Sequence, residues 1–275
     1  MSHLDRLMSA SDTNRSAFLR ALPATELQTR SPAALAVTPD PVVSPTYTFL
    51  STQRIIEALH GAGFVPVSAA QSHARGARPL SAAHVIRFRR RYETVQLRDC
   101  VPEILCLNSH NGRAALAFRL ALYRPVCTNG LIVCDATLPV WKVPHRGNVF
   151  DAAISAVVMQ AERFAEVGTW VERMERTMLD LPQQLAFAAQ ALALRFPTDR
   201  HAGVEPQKVL EARRAEDVGD DVWRVYNRVQ ESVIHGDVIR RTASHRVVRS
   251  RPITAIRRDV QLNTALWRMA TALAA

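Results

Sequence analysis

The spacing of hydrophobic positions changes near residue 148 of this 275-residue chain. Between residues 64 and 143, Val, Ile, Phe, Leu and Tyr cluster in short runs separated by turn-forming pairs, a pattern typical of β-strands. From residue 149 onward, hydrophobic residues recur every three or four positions, as on one face of a helix. The pattern therefore predicts an α+β protein, with the sheet first and a helical C-terminal half after it.

Short strands and tight turns indicate an antiparallel meander. Asn111-Gly112 and Asn129-Gly130 supply the positive backbone dihedrals that hairpin turns require. A helix that is capped by Ser51 or Thr52 and ended by Gly61 precedes the sheet. About five strands are predicted, over 64–70, 83–92, 102–108, 113–123 and 130–143.

The helical half begins with the longest regular pattern in the chain. Apolar residues at helical spacing predict one long helix over 149–179, which packs on the sheet. Pro182 begins a second helix, and its segment 185–196 is apolar almost all round, so we expect it to be buried. Further helices are predicted over 205–213, 220–235 and 253–273.

Proline content sets the N-terminal segment apart. Five prolines lie within residues 1–46, among Ser, Thr and Ala, a composition that disfavours long regular elements. We expect 1–46 to be a flexible N-terminal arm and 47–148 to be mainly β. The helical region 149–275 is expected to form one continuous domain with the β region.

Composition excludes several classes of protein. The chain is 48% hydrophobic, enough for a packed core, yet it contains no apolar run long enough to cross a bilayer. Its polar N-terminus lacks the apolar centre of a secretory signal, so we expect a cytoplasmic protein. The four cysteines lack Cys-x-x-Cys spacing, which disfavours disulfides and zinc, and no cofactor or metal motif is present.

The charge balance is the strongest indication of function. The chain has 35 basic and 25 acidic residues, a net charge of +10. Such an excess favours a polyanionic partner, of which nucleic acid is the commonest.

Six segments along the chain carry a resemblance to a known family. They are VPEILCLNSHNG at 101–112, RPVCTNGL at 124–131, VPHRG at 143–147, EARRAED at 211–217, VWRVYNRVQE at 222–231 and LNTALW at 262–267. Together they resemble the YfjQ/YafZ family of prophage and plasmid proteins, from about Tyr47 to the C-terminus. The resemblance implies residence on mobile DNA, and it implies no particular reaction, since the family has no assigned activity.

Two groups of arginines are candidate nucleic-acid contacts. Read with the two-residue period of a strand, Arg87, Arg89 and Arg91 lie on one side of the segment 83–92. The alternative for these three is a solvated face that protects an edge strand from aggregation. The second group lies in a stretch that we expect to be a loop that orders on binding, or else a merely solvated loop. It consists of Arg240, Arg241, Arg246, Arg249, Arg251, Arg257 and Arg258.

Two smaller motifs suggest other chemistry. His145 and Arg146 precede the long helix, where they are candidate phosphate ligands, although Asn148 or Asp151 fits equally well as an ordinary helix cap. An acidic cluster precedes the helix over 220–235, where it either holds Mg²⁺ or complements the helix dipole. Its members are Glu216, Asp217, Asp220 and Asp221.

The sequence thus favours a non-enzymatic nucleic-acid-binding protein of a prophage or plasmid, acting on single-stranded or recombining DNA, with DNA favoured over RNA as the partner and RNA left open. Two alternatives stay open. The first is a Mg²⁺-dependent nuclease that uses the acidic cluster, and the second is a protein-interaction or host-modulating factor with no role on nucleic acid. We expect no membrane partner, and the sequence leaves self-association open.

Overall fold

The computed structural model describes most of the chain. In Asn129–Ile132, Trp141 and Arg241 it describes the backbone only. The chain divides into two compact units: unit 1 comprises residues 1–130 and 139–163, and unit 2 comprises residues 131–138 and 164–275. The described ranges are 20–72, 78–91, 100–124, 129–132, 141–145, 150–197, 203–241 and 246–275.

An antiparallel sheet is the main element of the first part of the chain. Its strands run in the order β1-β2-β3-β4-β5, and β6 pairs with β4. The pairs β1/β2, β2/β3, β3/β4 and β4/β6 are all antiparallel, which confirms the α+β prediction. The strands are β1 (Phe64–Gln71), β2 (His84–Arg90), β3 (Val101–Asn108), β4 (Leu116–Arg124), β5 (Asn129–Ile132) and β6 (Trp141–Val143).

The two predicted turns have different outcomes. Asn111-Gly112 lies between β3 and β4, and Gly112 has the positive φ of 70° that the turn requires. Asn129-Gly130 is instead the start of β5, so the prediction of a turn there is wrong. Asn and Gly are uncommon in strands, but this preference is weak and depends on context, here the position of β5 beside β4 in the sheet.

The hydrophobic core of unit 1 lies on one face of this sheet. Ile86, Phe88, Ile104, Cys106 and Phe118 share that face by strand register and are fully buried. Helices α2 (Thr52–Gly61) and α3 (Phe150–Ala161) pack against strands of the sheet. The Ser51 side chain accepts a hydrogen bond from the Arg54 backbone N–H at 3.3 Å, which confirms the predicted cap of α2.

Part of the expected N-terminal arm is packed into unit 1. Residues 20–46 include helix α1 (Ala24–Arg30) and a 3₁₀ turn (Pro32–Leu35), in which Ala33 and Ala34 are fully buried. The Leu22 N–H donates to the Pro66 carbonyl of β1 at 2.7 Å. Prolines at the starts of short helical turns are compatible with this packing, because the first turn needs no N–H donor there. Residues 1–19 lie outside the described residues.

The helix predicted over 149–179 is divided into two. Helix α3 ends at Ala161 and helix α4 (Phe164–Arg176) follows, and the boundary between the two units falls at the same place. The Glu162 and Arg163 N–H groups bond to carbonyls three residues back, which tightens the chain into a turn. The sequence has neither Gly nor Pro at this turn, and the hydrophobic spacing continues across it. The sequence pattern therefore does not reveal the break between the two helices.

Unit 2 is built from helices around an aromatic core. The Tyr226 ring centroid lies 5.9 Å from the ring centroids of both Trp223 and Trp267, and all three side chains are buried. The three rings therefore form the centre of the unit 2 core. The helices are α4, α5 (Leu181–Arg195), the short α6 (Pro206–Val209), α7 (Val222–His235) and α8 (Ile256–Leu273).

Helix α5 buries one face rather than its whole circumference. Phe187, Ala188, Ala191 and Leu192 are buried, whereas Ala189 is exposed, so the expectation of an all-round buried helix is wrong. Alanine is a strong helix former that packs or faces water at little cost, so its abundance does not determine burial.

A two-stranded hairpin interrupts the helices of unit 2. Strands β7 (Ile239–Arg241) and β8 (Val247–Arg249) pair antiparallel. The hairpin follows Gly236, whose φ of 76° and ψ of −137° suit glycine, and a Cβ there would lie 2.6 Å from the Ser250 carbonyl oxygen. The expected loop over 240–251 is therefore largely a β-hairpin.

Two of the four cysteines lie in the described ranges. Cys100 and Cys106 are buried, and Cys127 and Cys134 lie outside the described residues. Within the described ranges, every helix is too short or too polar to span a bilayer.

Candidate nucleic-acid interface

The arginines of strand β2 lie in an ion network on the sheet. Arg87 and Arg89 lie opposite the fully buried Ile86 and Phe88, as the strand period predicts. Both guanidinium groups pair with the Glu103 carboxylate of β3, Arg89 through Nε at 2.7 Å. Because Glu103 is buried and Arg89 is only 5% exposed, the two guanidinium groups share one counter-charge within the fold.

Two predictions about these arginines are therefore corrected. They do not form an exposed basic stripe, since the Arg89 guanidinium is held by Glu103 and also lies 4.4 Å from the centre of the Tyr123 ring. Nor do they protect an edge, because β2 lies between β1 and β3 in the sheet. Arg91 is exposed just beyond the end of β2 and contacts His60.

Unit 1 also buries a cluster of histidines. The ring centroids of His84 and His110 lie 5.1 Å apart. Both His84 ring nitrogens are hydrogen-bonded, Nε2 with the Thr52 hydroxyl at 2.8 Å and Nδ1 with the Ala82 carbonyl at 2.9 Å. Burial lowers the pKa of His84 to about 4, and burial together with the neighbouring histidines lowers the pKa of His110 to about 3. These rings are therefore neutral near pH 7.

His145 belongs to the packing of unit 1. Its ring stacks on Tyr47, with centroids 4.6 Å apart, and its Nδ1 lies 3.0 Å from the Thr48 carbonyl oxygen. Burial lowers the pKa of His145, which disfavours the charged imidazolium that would best hold a phosphate. Arg146 and Asn148 lie outside the described residues, and Asp151 occupies the first turn of α3.

The acidic cluster of unit 2 is used within the fold. Asp221 caps helix α7 by accepting from the Arg224 N–H at 3.0 Å, and it also pairs with the Arg224 guanidinium. Asp220 accepts from the Gln184 amide at 3.0 Å. Asp217 is buried with Arg214 3.7 Å away, and Glu216 is exposed.

This arrangement favours the helix-dipole interpretation of the acids over a metal site. Acids at a helix start complement its dipole without any ion. Among the residues that the structure describes, no group of three or more His, Cys, Asp or Glu side chains is arranged to hold a metal.

A second group of arginines meets at the end of helix α5, and we call it the Arg195 cluster: Arg195, Arg240 and Arg258, with Phe196. The guanidinium groups of Arg195 and Arg240 each lie 5.2 Å from the centre of the half-buried Phe196 ring. Arg258 donates to the carbonyls of Leu194 and Arg195, the last carbonyls of α5. A cation at this helix end is favoured by the dipole, which explains the position of Arg258.

The electrostatics of the Arg195 cluster differ from those of the sheet. Burial lowers the pKa of Arg195, and the positive charges of Arg258 and Arg240 lower it further. The Arg195 side chain donates to the Arg251 carbonyl at 2.7 Å, which is a neutral acceptor. Like charges are thus held together here, and an anion would relieve their repulsion.

The other predicted arginines of this region surround the hairpin. Arg249 pairs with Asp237 at 2.7 Å, but both side chains are about two-thirds exposed, so the pair is weak. Arg246, Arg251 and Arg257 are exposed. The backbone of Arg241 pairs with Val247 in the hairpin.

Sequence analysis missed two members of the Arg195 cluster. Arg195 and Phe196 end helix α5, about 45 residues before Arg240 in the chain. An Arg-Phe pair at a helix end is unremarkable by itself, and only the fold brings Arg240 and Arg258 to it.

Fold and site together define a basic α+β protein with compensated arginines in its sheet and a cluster of like charges among its helices. The chain belongs to the family of the domain of unknown function DUF932, whose sequence pattern matches residues 41–267. It is 36% identical to the UPF0380 protein YafZ of Escherichia coli strain K12 over 231 residues, 84% of this chain and 83% of YafZ. It is 35% identical to the UPF0380 protein YfjQ of the same strain over 231 residues, 84% of this chain and 83% of YfjQ.

These comparisons confirm the family that the six sequence segments predict. No solved structure matches the chain. The name of the family assigns it no activity.

Proposed function

We propose that this protein binds nucleic acid, DNA in particular, through the Arg195 cluster and the exposed arginines beside the hairpin, and that it does so without catalysis as part of a prophage or plasmid. The observation that carries the proposal is the proximity of Arg195, Arg240 and Arg258, whose mutual repulsion acts on Arg195.

A phosphate backbone is the anion that fits this arrangement best. Guanidinium groups bind phosphate oxygens through paired N–H donors, and each neutralised phosphate releases condensed counterions. Arg240 extends from the hairpin and Arg258 from helix α8, so a strand that contacts both would span two elements of unit 2.

The exposed arginines extend the basic surface along the chain. Arg251 and Arg257 are exposed, and neither forms an ion pair with another residue in the described ranges of the chain. Long-range attraction of a polyanion requires such solvent-facing charges, and their contribution is weakened by salt.

The test is DNA affinity as a function of salt, measured for the whole chain by fluorescence anisotropy with a labelled single-stranded oligonucleotide. The variant R246A/R251A/R257A is expected to bind about 10- to 100-fold more weakly, with a salt slope shallower by about 2. The control R30A/R113A/R176A removes the same charge from exposed positions elsewhere, and its affinity should change much less.

Three results would refute the proposal: no binding at low salt, a flat salt dependence, or equal losses in the two triple variants. Adding Mg²⁺ to the same mixture tests the nuclease alternative, because cleavage of the oligonucleotide would contradict a role without catalysis. Binding to an acidic protein that persists when DNA affinity is absent would favour the protein-interaction alternative.

A further inference from the structure

The β7/β8 hairpin has two chemically different faces. In its register Ile239 lies opposite Arg249, and Arg240 lies opposite Val248. Because side chains alternate along a strand, Ile239, Val247 and Arg249 share one face and Arg240 lies on the other. Arg240 lies over Phe196, so its face is the inner one, and the face of Ile239 and Val247 is the outer one.

The outer face exposes apolar surface next to positive charge. Ile239 is 52% exposed and Val247 is 61% exposed. Arg249 lies on the same face, where it forms an exposed pair with Asp237, and Arg246 immediately precedes β8 and is exposed. A partner for this face therefore has to present both apolar surface and negative charge.

We infer that the outer face of the hairpin, Ile239 and Val247, contacts the bases of single-stranded nucleic acid while the neighbouring Arg246 and Arg249 contact its phosphates. The inference rests on the proposed function and names the form of nucleic acid that it selects. A single strand offers unpaired base faces beside a charged backbone. Packing such a face against Ile239 and Val247 removes apolar surface of both from water. A duplex stacks its base faces on one another and presents only their edges.

The experiment compares two single strands of equal charge: a 20-nucleotide oligonucleotide and an abasic strand of the same length. The full chain is expected to bind the normal strand about tenfold more tightly than the abasic one at the same salt. A 20-base-pair duplex should also bind more weakly than the normal single strand.

The variant I239S/V247S should lower the affinity for the normal strand to that for the abasic strand and leave abasic binding unchanged. The control M178S/V218S removes two equally exposed apolar side chains elsewhere in unit 2, 65% and 64% exposed, and should keep the preference. Both variants replace surface residues, and their thermal melting curves should match that of the parent chain.

Equal binding of the normal and abasic strands by the parent chain would overturn the inference and leave the proposed function intact. A preference for the normal strand that survives in I239S/V247S would also overturn the inference. So would a dimeric parent chain that becomes monomeric in this variant, since the outer face would then join two copies of the chain. Failure of all strands to bind would instead refute the proposed function.

Discussion

Arginines of this protein occur in two contrasting surroundings. In unit 1, Arg87 and Arg89 flank the buried carboxylate of Glu103, so these two arginines share a buried counter-charge. In unit 2, Arg195, Arg240 and Arg258 lie beside one another, and burial together with the charges of Arg258 and Arg240 lowers the pKa of Arg195. The same type of side chain thus shares a buried carboxylate in one unit and lies beside like charges in the other.

Burial explains the difference. A charge removed from water needs a partner or must be neutral, and unit 1 meets that need with Glu103 and with uncharged histidines. Near the surface, water and salt make like charges tolerable at modest cost. Charge added to unit 1, or a partner removed from it, should therefore cost stability, whereas changes at the Arg195 cluster should act on binding.

The largest expected effect is the loss of stability of unit 1 in acid. The pKa of His84 is about 4 and that of His110 about 3, both below the 6.5 of an unfolded histidine. As the pH falls below 6.5, the unfolded chain takes up protons that the folded unit excludes. The two histidines together should lower the free energy of unfolding by about 4 kcal/mol between pH 7.5 and pH 5, which denaturant unfolding measures.

The variant H110L serves as the control for this pH dependence. The His110 ring packs against Phe49 and His84, and neither ring nitrogen makes a hydrogen bond of normal geometry. Leucine preserves the packing without a titratable group, so about half of the acid-induced loss should disappear. An unchanged loss would show that other groups control acid unfolding.

A somewhat smaller effect is expected from removing the carboxylate beneath the sheet arginines. E103Q removes the counter-charge that the buried Arg89 and the partly buried Arg87 share. It should lower the free energy of unfolding by about 3 kcal/mol. E162Q removes the partner of Arg90 on the same strand, where Glu162 is 65% exposed, and should cost less than about 1 kcal/mol. Equal costs in denaturant titrations would contradict the contrast between buried and exposed pairs.

Sequence periodicity predicts much of the fold because it reports burial. The alternation through Ile86 and Phe88 places the buried and charged sides of β2 correctly. It does not reveal that Glu103, on the next strand, lies beside Arg89, because that contact depends on strand register. The turn at Glu162 escapes prediction for a similar reason, since hydrophobic spacing is the same on both sides of it.

The candidate site is less predictable than the fold. Arginine density identifies the region 240–258, but density does not show which guanidinium groups meet. The hairpin and the packing of α8 against the end of α5 bring Arg240 and Arg258 to Arg195. Such contacts between distant segments leave no trace in local composition.

The most direct test of the contrast between the two regions is the DNA affinity of R240Q and R87Q, each measured from 50 to 300 mM salt. R240Q should bind a single strand about 3- to 10-fold more weakly, with a salt slope shallower by about 0.7, because one phosphate contact is lost. R87Q should keep the affinity and slope of the parent chain, because Arg87 is engaged with Glu103. Equal weakening by the two substitutions, or weakening by R87Q alone, would contradict the account.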